Sequence, residues 1–148
     1  MRRYLGSIPL AAACLVILST SATVHGDDLG SSVNQRLASA RAATALYHDA
    51  GAAIADGYVN VGSNPSEGDA VEFVNFGLVM NCTLDALHPE ALRYVASGNR
   101  LRLVAIEYSI PMACGDPPED FLPGAGEWEP EMVAPAWSMA VWIWSGQS

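Results

Sequence analysis

Lysine is absent from this chain, and histidine and cysteine occur only three times each among its 148 residues. Each shortage closes a class of chemistry. The seven basic residues, all arginine, face 16 acidic ones, for a net charge of −9. Proteins that grip a phosphate backbone do so with a basic face that releases counterions, so nucleic acid is not an expected partner. Without lysine there is no G-x-x-x-x-G-K phosphate loop, and no G-x-S-x-G nucleophile elbow occurs. The absence of C-x-x-C and H-x-x-x-H spacings removes the common thiol-redox and zinc patterns. Asp116, Glu119, Asp120, Glu127, Glu129 and Glu131 crowd one stretch, but D-x-D-x-D-G is missing, so that stretch reads as solvated loop rather than a calcium loop. No metal and no cofactor is expected. What remains is 51% hydrophobic, 16% charged and 8% aromatic, the core-forming content of one globular domain.

The first residues read as an address. Arg2 and Arg3 precede an apolar run, Ile8 to Leu18, which is followed by small and polar residues from Ser19 to Gly26. This is the layout of a secretory signal peptide, with cleavage after Ala22 or after Gly26. The run is about half the roughly 20 residues that a spanning helix needs, so no stable membrane insertion is expected after processing. Residues 1–26 are therefore assigned to the signal and 27–148 to a single secreted or periplasmic domain. Loss of Arg2 and Arg3 leaves 5 basic against 16 acidic residues, or −11. Export also leaves two cysteines, Cys82 and Cys114, in an oxidising compartment, where a disulfide between them is expected. Closing that loop of about thirty residues is worth about 3 kcal/mol on the chain-entropy model.

The rest of the pattern predicts an α+β fold: an N-terminal amphipathic helix packed on a mostly antiparallel sheet of four or five strands. From Ser31 to Asp56 a stripe of Val33, Leu37, Ala40, Ala43, Tyr47, Ala50 and Ile54 recurs at helical spacing. Asp28, Ser31 or Ser32 can cap its start, and Gly57 can stop it. Gly62 to Asp69 is a loop by composition, and Ala70 to Phe76 alternates as a strand. Ser97-Gly98-Asn99 predicts a hairpin turn between Leu92–Val95 and Leu101–Ile110. Alternation in the second of these puts Val104, Ile106, Tyr108 and Ile110 on one face. Leu101, Leu103, Ala105 and Glu107 fall on the other, so this is a central strand covered on both sides. Residues 111–135 read as a long irregular loop, and Trp137 to Trp144 as a closing strand.

Few side chains qualify as site candidates. Glu72 and Glu107 sit in strands among apolar neighbours and, if they share a face, form a carboxylate pair of the kind that hydrolases use. Arg93 and Arg102 are available to pair with either. Glu107 is expected to be structural, either partnered by an arginine or a tyrosine hydroxyl or opening to water at the sheet's end, because an unpaired charge at mid-strand is costly. His48 stands beside Asp49 and is a residue type that serves as a general acid or base, yet adjacent helical residues point about 100° apart and form no local dyad. His88 precedes a proline in an extended turn. Tyr108 and Trp142 are candidate ligand contacts.

The pieces Tyr47-His48-Asp49, Ile54-Ala55-Asp56-Gly57-Tyr58, Phe73-Val74-Asn75, Thr83-Leu84-Asp85, Pro89-Glu90-Ala91-Leu92, Leu101 to Tyr108 and Val141-Trp142 resemble a family of uncharacterised exported bacterial proteins. The resemblance implies a similar fold and an envelope or extracellular location. Glu72 and Ala140 stand where that family carries histidine, so a site built on those two histidines is not carried here. The resulting expectation is a non-enzymatic domain that binds a small molecule, apolar or partly cationic, or a protein partner. The alternative is a hydrolase using Glu72 and Glu107.

Overall fold

Alanine costs little to order in a helix, and the alanine-rich stretch after Gly26 forms one. In the computed structural model, which describes residues 26–62, 68 and 70–144, helix α1 spans Gly26–Thr44. The expected signal peptide, apart from Gly26, and most of the Gly62–Asp69 loop lie outside the described residues. α1 starts before Ser31 and Ser32, which therefore lie within it rather than capping it. The helical stripe is also broken. A 3-10 turn follows at Ala45–His48, and Asp49 leaves helical geometry to cap α2 (Ala50–Ala55) by accepting the Gly51 N–H at 2.8 Å. Aspartate prefers this role to a mid-helix position. The break shifts the phase, so Ala53 is buried and Ile54 is exposed. Gly57, at φ +91°, ends the segment as expected.

The sheet has six strands rather than four or five, all antiparallel, in the order β1-β2-β3-β4-β6-β5. They are β1 Val59–Asn60, β2 Ala70–Val74, β3 Ala91–Ser97, β4 Arg100–Pro111, β5 Glu129–Glu131 and β6 Ala136–Val141. β2 stops short of Phe76 because Asn75 caps a short helix, α3 (Phe76–Val79), through the N–H groups of Gly77 and Leu78. The β3–β4 hairpin turns at Gly98 and Asn99, with Gly98 at φ +58°, a conformation glycine adopts without strain. β4 lies inside the sheet, and residues 103–108 are buried on both faces.

Its alternation is not simple. Arg93 pairs with Ala105 and Tyr94 with Leu103, so Val104 is an extra residue and the phase flips there. Leu103 consequently joins Ile106 and Tyr108 in the core instead of siding with Ala105 and Glu107. The stretch 111–135 is not wholly irregular either. It holds a 3-10 turn at Met112–Cys114, buried Phe121 and Leu122, and edge strand β5.

The core lies between the sheet and the helical layer. Val71 and Phe73, Leu92 and Tyr94, Ile106 and Tyr108, and Met139 and Val141 line up across β2, β3, β4 and β6. Burying each such side chain contributes about 1.5–3 kcal/mol. Tyrosine hydroxyls pin the loops: Tyr94 donates to Tyr47 O at 2.7 Å, Tyr58 to Pro89 O at 2.7 Å and Tyr108 to Ala86 O at 2.8 Å. Burial pushes all three phenols above their usual range, so they remain neutral donors. α1 is held by its arginines. Arg41 donates to Ile143 O at 3.0 Å and stacks on Trp144, while Arg36 donates to Asp120 O and lies over Phe121. Cys82 and Cys114 form the expected disulfide, with Cα atoms 5.7 Å apart. Among the described residues no helix is long and apolar enough to cross a membrane.

Candidate functional site

With the helices on one face, the period of two sends the intervening side chains to the other. That second face carries Glu72 and Val74 from β2, Ala91 and Arg93 from β3, Glu107 and Ser109 from β4, and Ala136, Ser138 and Ala140 from β6. Alanine and serine at so many of these positions leave the middle of the face low. The rim stands higher, built from half-exposed Phe76 and Val61 on one side and fully exposed Val133 on the other. The result is a hollow of about 510 Å³. Two smaller hollows adjoin it, one of about 300 Å³ beside Glu72 and Gly62, the other of about 230 Å³ beside Glu129 and Trp142. Arg93 lines all three.

The charge in the central hollow is uneven: Glu72, Glu107 and Glu131 against Arg93. Glu107 is only 5% exposed and its carboxylate meets the Arg93 guanidinium in an ion pair. Of the outcomes expected for Glu107, an arginine partner, a tyrosine hydroxyl or an opening to water, the structure shows the first. The contact is made at the buried Oε2 atom, which the Arg93 Nη2 group meets directly. Burial pushes the Glu107 carboxyl above its ordinary value; Arg93 opposes this, and the negative charges of Glu72 and Glu131 add to it.

Of the predicted site residues, the structure brings Glu72 and Glu107 to this face and puts Trp142, 56% exposed, at its rim. Ala140, the other position where the resembled family has histidine, lines the same face. The remaining candidates lie elsewhere. Tyr108 is fully buried on the helix-facing side, bonded to Ala86 O, and does not reach the hollow. His48 is exposed, with its ring edge-to-face against Trp144 at 4.4 Å. His88 is exposed and 2.9 Å from Asp85, whose carboxyl is held below its ordinary value first by the Leu87 N–H and then by His88. It borders a separate hollow of about 430 Å³ with Tyr47, Asp56 and Tyr58. Among the described residues no three His, Cys, Asp or Glu side chains converge as metal ligands.

Two features were missed. The central place of Arg93 follows from strand register, which alternation within one strand does not reveal. Glu90, quoted only as part of Pro89-Glu90-Ala91-Leu92, is 1% exposed and accepts the Ser109 N–H at 3.1 Å. Burial pushes its carboxyl up to about 8, against the lowering effect of that N–H. Its position after buried Pro89 was the available signal. Comparison with protein-family models, curated proteins and solved structures finds no match for the chain.

Proposed function

We propose that the chain is an exported, non-enzymatic binding domain that holds a small molecule of largely apolar body on the open face of its sheet. The hollow of about 510 Å³ carries this reading: apolar side chains wall it and a few charged groups converge at its centre. Ligand sites have this size and make-up, roughly 300–1,000 Å³ with few polar groups. The Cys82–Cys114 disulfide and the resemblance to exported bacterial proteins support a secreted or periplasmic location. The direct test uses Nile red, an uncharged apolar dye. Its fluorescence should rise with the purified protein and fall for Ser109→Leu, which fills the floor of the hollow. Binding unchanged in that variant would remove the hollow as the site. Export predicts a mature N-terminus at Thr23 or Asp27 by mass spectrometry of the secreted fraction; a cytosolic full-length chain would refute it.

One observation favours a hydrolase as the second reading. Glu72 and Glu107 line one hollow, and burial pushes the Glu107 carboxyl above its ordinary value, as the acid of such a pair requires. Hydrolysis of a chromogenic glycoside or ester that disappears in Glu72→Gln would establish it.

A further inference from the structure

Among the described residues Arg93 alone lines all three hollows on the open face, and its guanidinium sits against the deeply buried carboxylate of Glu107. That contact is made at the Glu107 Oε2 atom. The geometry points to Arg93 as an internal stand-in for a ligand cation: the site takes an elongated, positively charged amphiphile whose ammonium group replaces Arg93 at Glu107. This rests on the open face being the binding site.

Three observations support it. First, the site already holds a cation at Glu107: the Arg93 guanidinium meets its Oε2 atom, and an ammonium N–H can donate to the same atom in a charge-assisted bond, among the stronger polar contacts. Second, a displaced Arg93 has other carboxylates within the hollows it already lines. Glu72 stands on one side, and Glu127, Glu129 and Glu131 on the other. Exchange therefore leaves neither partner without a counter-charge, which is what makes breaking a buried pair costly. Third, Arg93 stands where the central hollow of about 510 Å³ meets its neighbours of about 300 and 230 Å³, so its swing toward the carboxylates of one opens the central hollow toward the other. The opened groove has exposed Val61 and Phe76 along it to receive an alkyl chain. An anionic ligand meets the opposite balance, one guanidinium already paired and carboxylates on every side.

The test compares three probes of equal chain length, octylammonium, octanol and octanoate, by calorimetry and by NMR shifts of the Ser109, Ala136 and Ser138 amides. The wild type should bind octylammonium at least tenfold more tightly than octanol, with octanoate weakest. Glu107→Gln should bring octylammonium down to the octanol level. Arg93→Gln should tighten octylammonium several-fold and leave octanol unchanged. Should Arg93→Gln fail to fold with its carboxylate unpaired, the double variant Arg93→Gln/Glu107→Gln carries no unpaired charge and should bind both probes alike. Equal binding of octanol and octylammonium by the wild type, a preference for octanoate, or an ammonium preference kept in the double variant would overturn the exchange. Octanol would still map to the open face in each of those cases. If no probe shifts the three amides, it is the open-face reading itself that fails.

Discussion

Glu90 offers the sharpest perturbation, because its carboxyl has almost no access to water and accepts the Ser109 N–H. In the unfolded chain it ionises near 4.5, whereas burial in the fold pushes it up to about 8. Between those values the folded state keeps a proton that the unfolded state releases. Stability must therefore fall as pH rises through this window and level off above it. The ceiling is roughly 5 kcal/mol, at about 1.4 kcal/mol for each tenfold step. Water drawn to the ionised group lowers the cost, and we expect a loss of about 2 kcal/mol between pH 5 and pH 9.

Glu90→Gln separates this effect from every other titration. The amide oxygen still accepts the Ser109 N–H, and the side chain no longer ionises. For a domain of this size about 2 kcal/mol corresponds to a melting-point difference of roughly 8 °C. Calorimetry at pH 5, 7 and 9 should show the wild type losing about that much and the variant losing clearly less. A remnant slope of the same sign is expected from Glu107, whose carboxyl is also pushed up by burial. Asp85 acts at the acid end only, since its carboxyl lies below its ordinary value. Identical pH dependence in wild type and variant would refute the argument that Glu90 is buried and protonated in the fold.

Reducing the Cys82–Cys114 bridge, or replacing both cysteines with serine, should cost about 3 kcal/mol and lower the melting point by roughly 10 °C; an unchanged transition with and without reductant would show that the bridge does not constrain the unfolded chain. Gly126→Ala places a Cβ 2.8 Å from both Ala140 O and Met139 Cγ, so a loss of about 1–3 kcal/mol is expected in urea unfolding, and no loss would mean that the 115–128 segment does not pack on β6 this closely. Tyr94→Phe removes the donor to Tyr47 O and should cost about 1–2 kcal/mol by the same assay, with a neutral result assigning that carbonyl another partner.

What was legible in the sequence is what local chemistry decides. Gly98-Asn99 demanded a turn between two apolar runs, and alternation in β2 correctly separated Val71 and Phe73 from Glu72 and Val74. The length and two-sided apolarity of β4 marked it as an interior strand. Where both faces are apolar, however, alternation carries no phase, and so the bulge at Val104 left no trace. The helix break at Asp49 was hidden for a related reason: one capping residue in an alanine-rich run looks like a solvent-facing position until Tyr47 finds its place in the core. β5 is three exposed residues around a proline, with no periodicity to read; it forms because β6 offers an unpaired edge.

The candidate site was half legible, and the missing half has one physical source. Glu72 and Glu107 could be assigned to strands, but proximity depends on register across β2, β3 and β4, which is fixed by the hairpin turn and by the bulge together. Arg93 lies opposite Glu72 in that register and two residue pairs away from the Ala91–Glu107 match, on the same face, so it reaches Glu107 across the sheet. Slip β4 by one residue against β3 and the same sequence would turn Glu107 toward the core, where Leu103, Tyr94 and Tyr108 leave no counter-charge. The ion pair and the core thus specify each other: a register that buries the tyrosines is also the one that lets Arg93 cover Glu107. For the same reason a variant that loses the pair but keeps its melting point would show that the tyrosine core alone sets the register, leaving the Arg93–Glu107 contact free to serve a ligand.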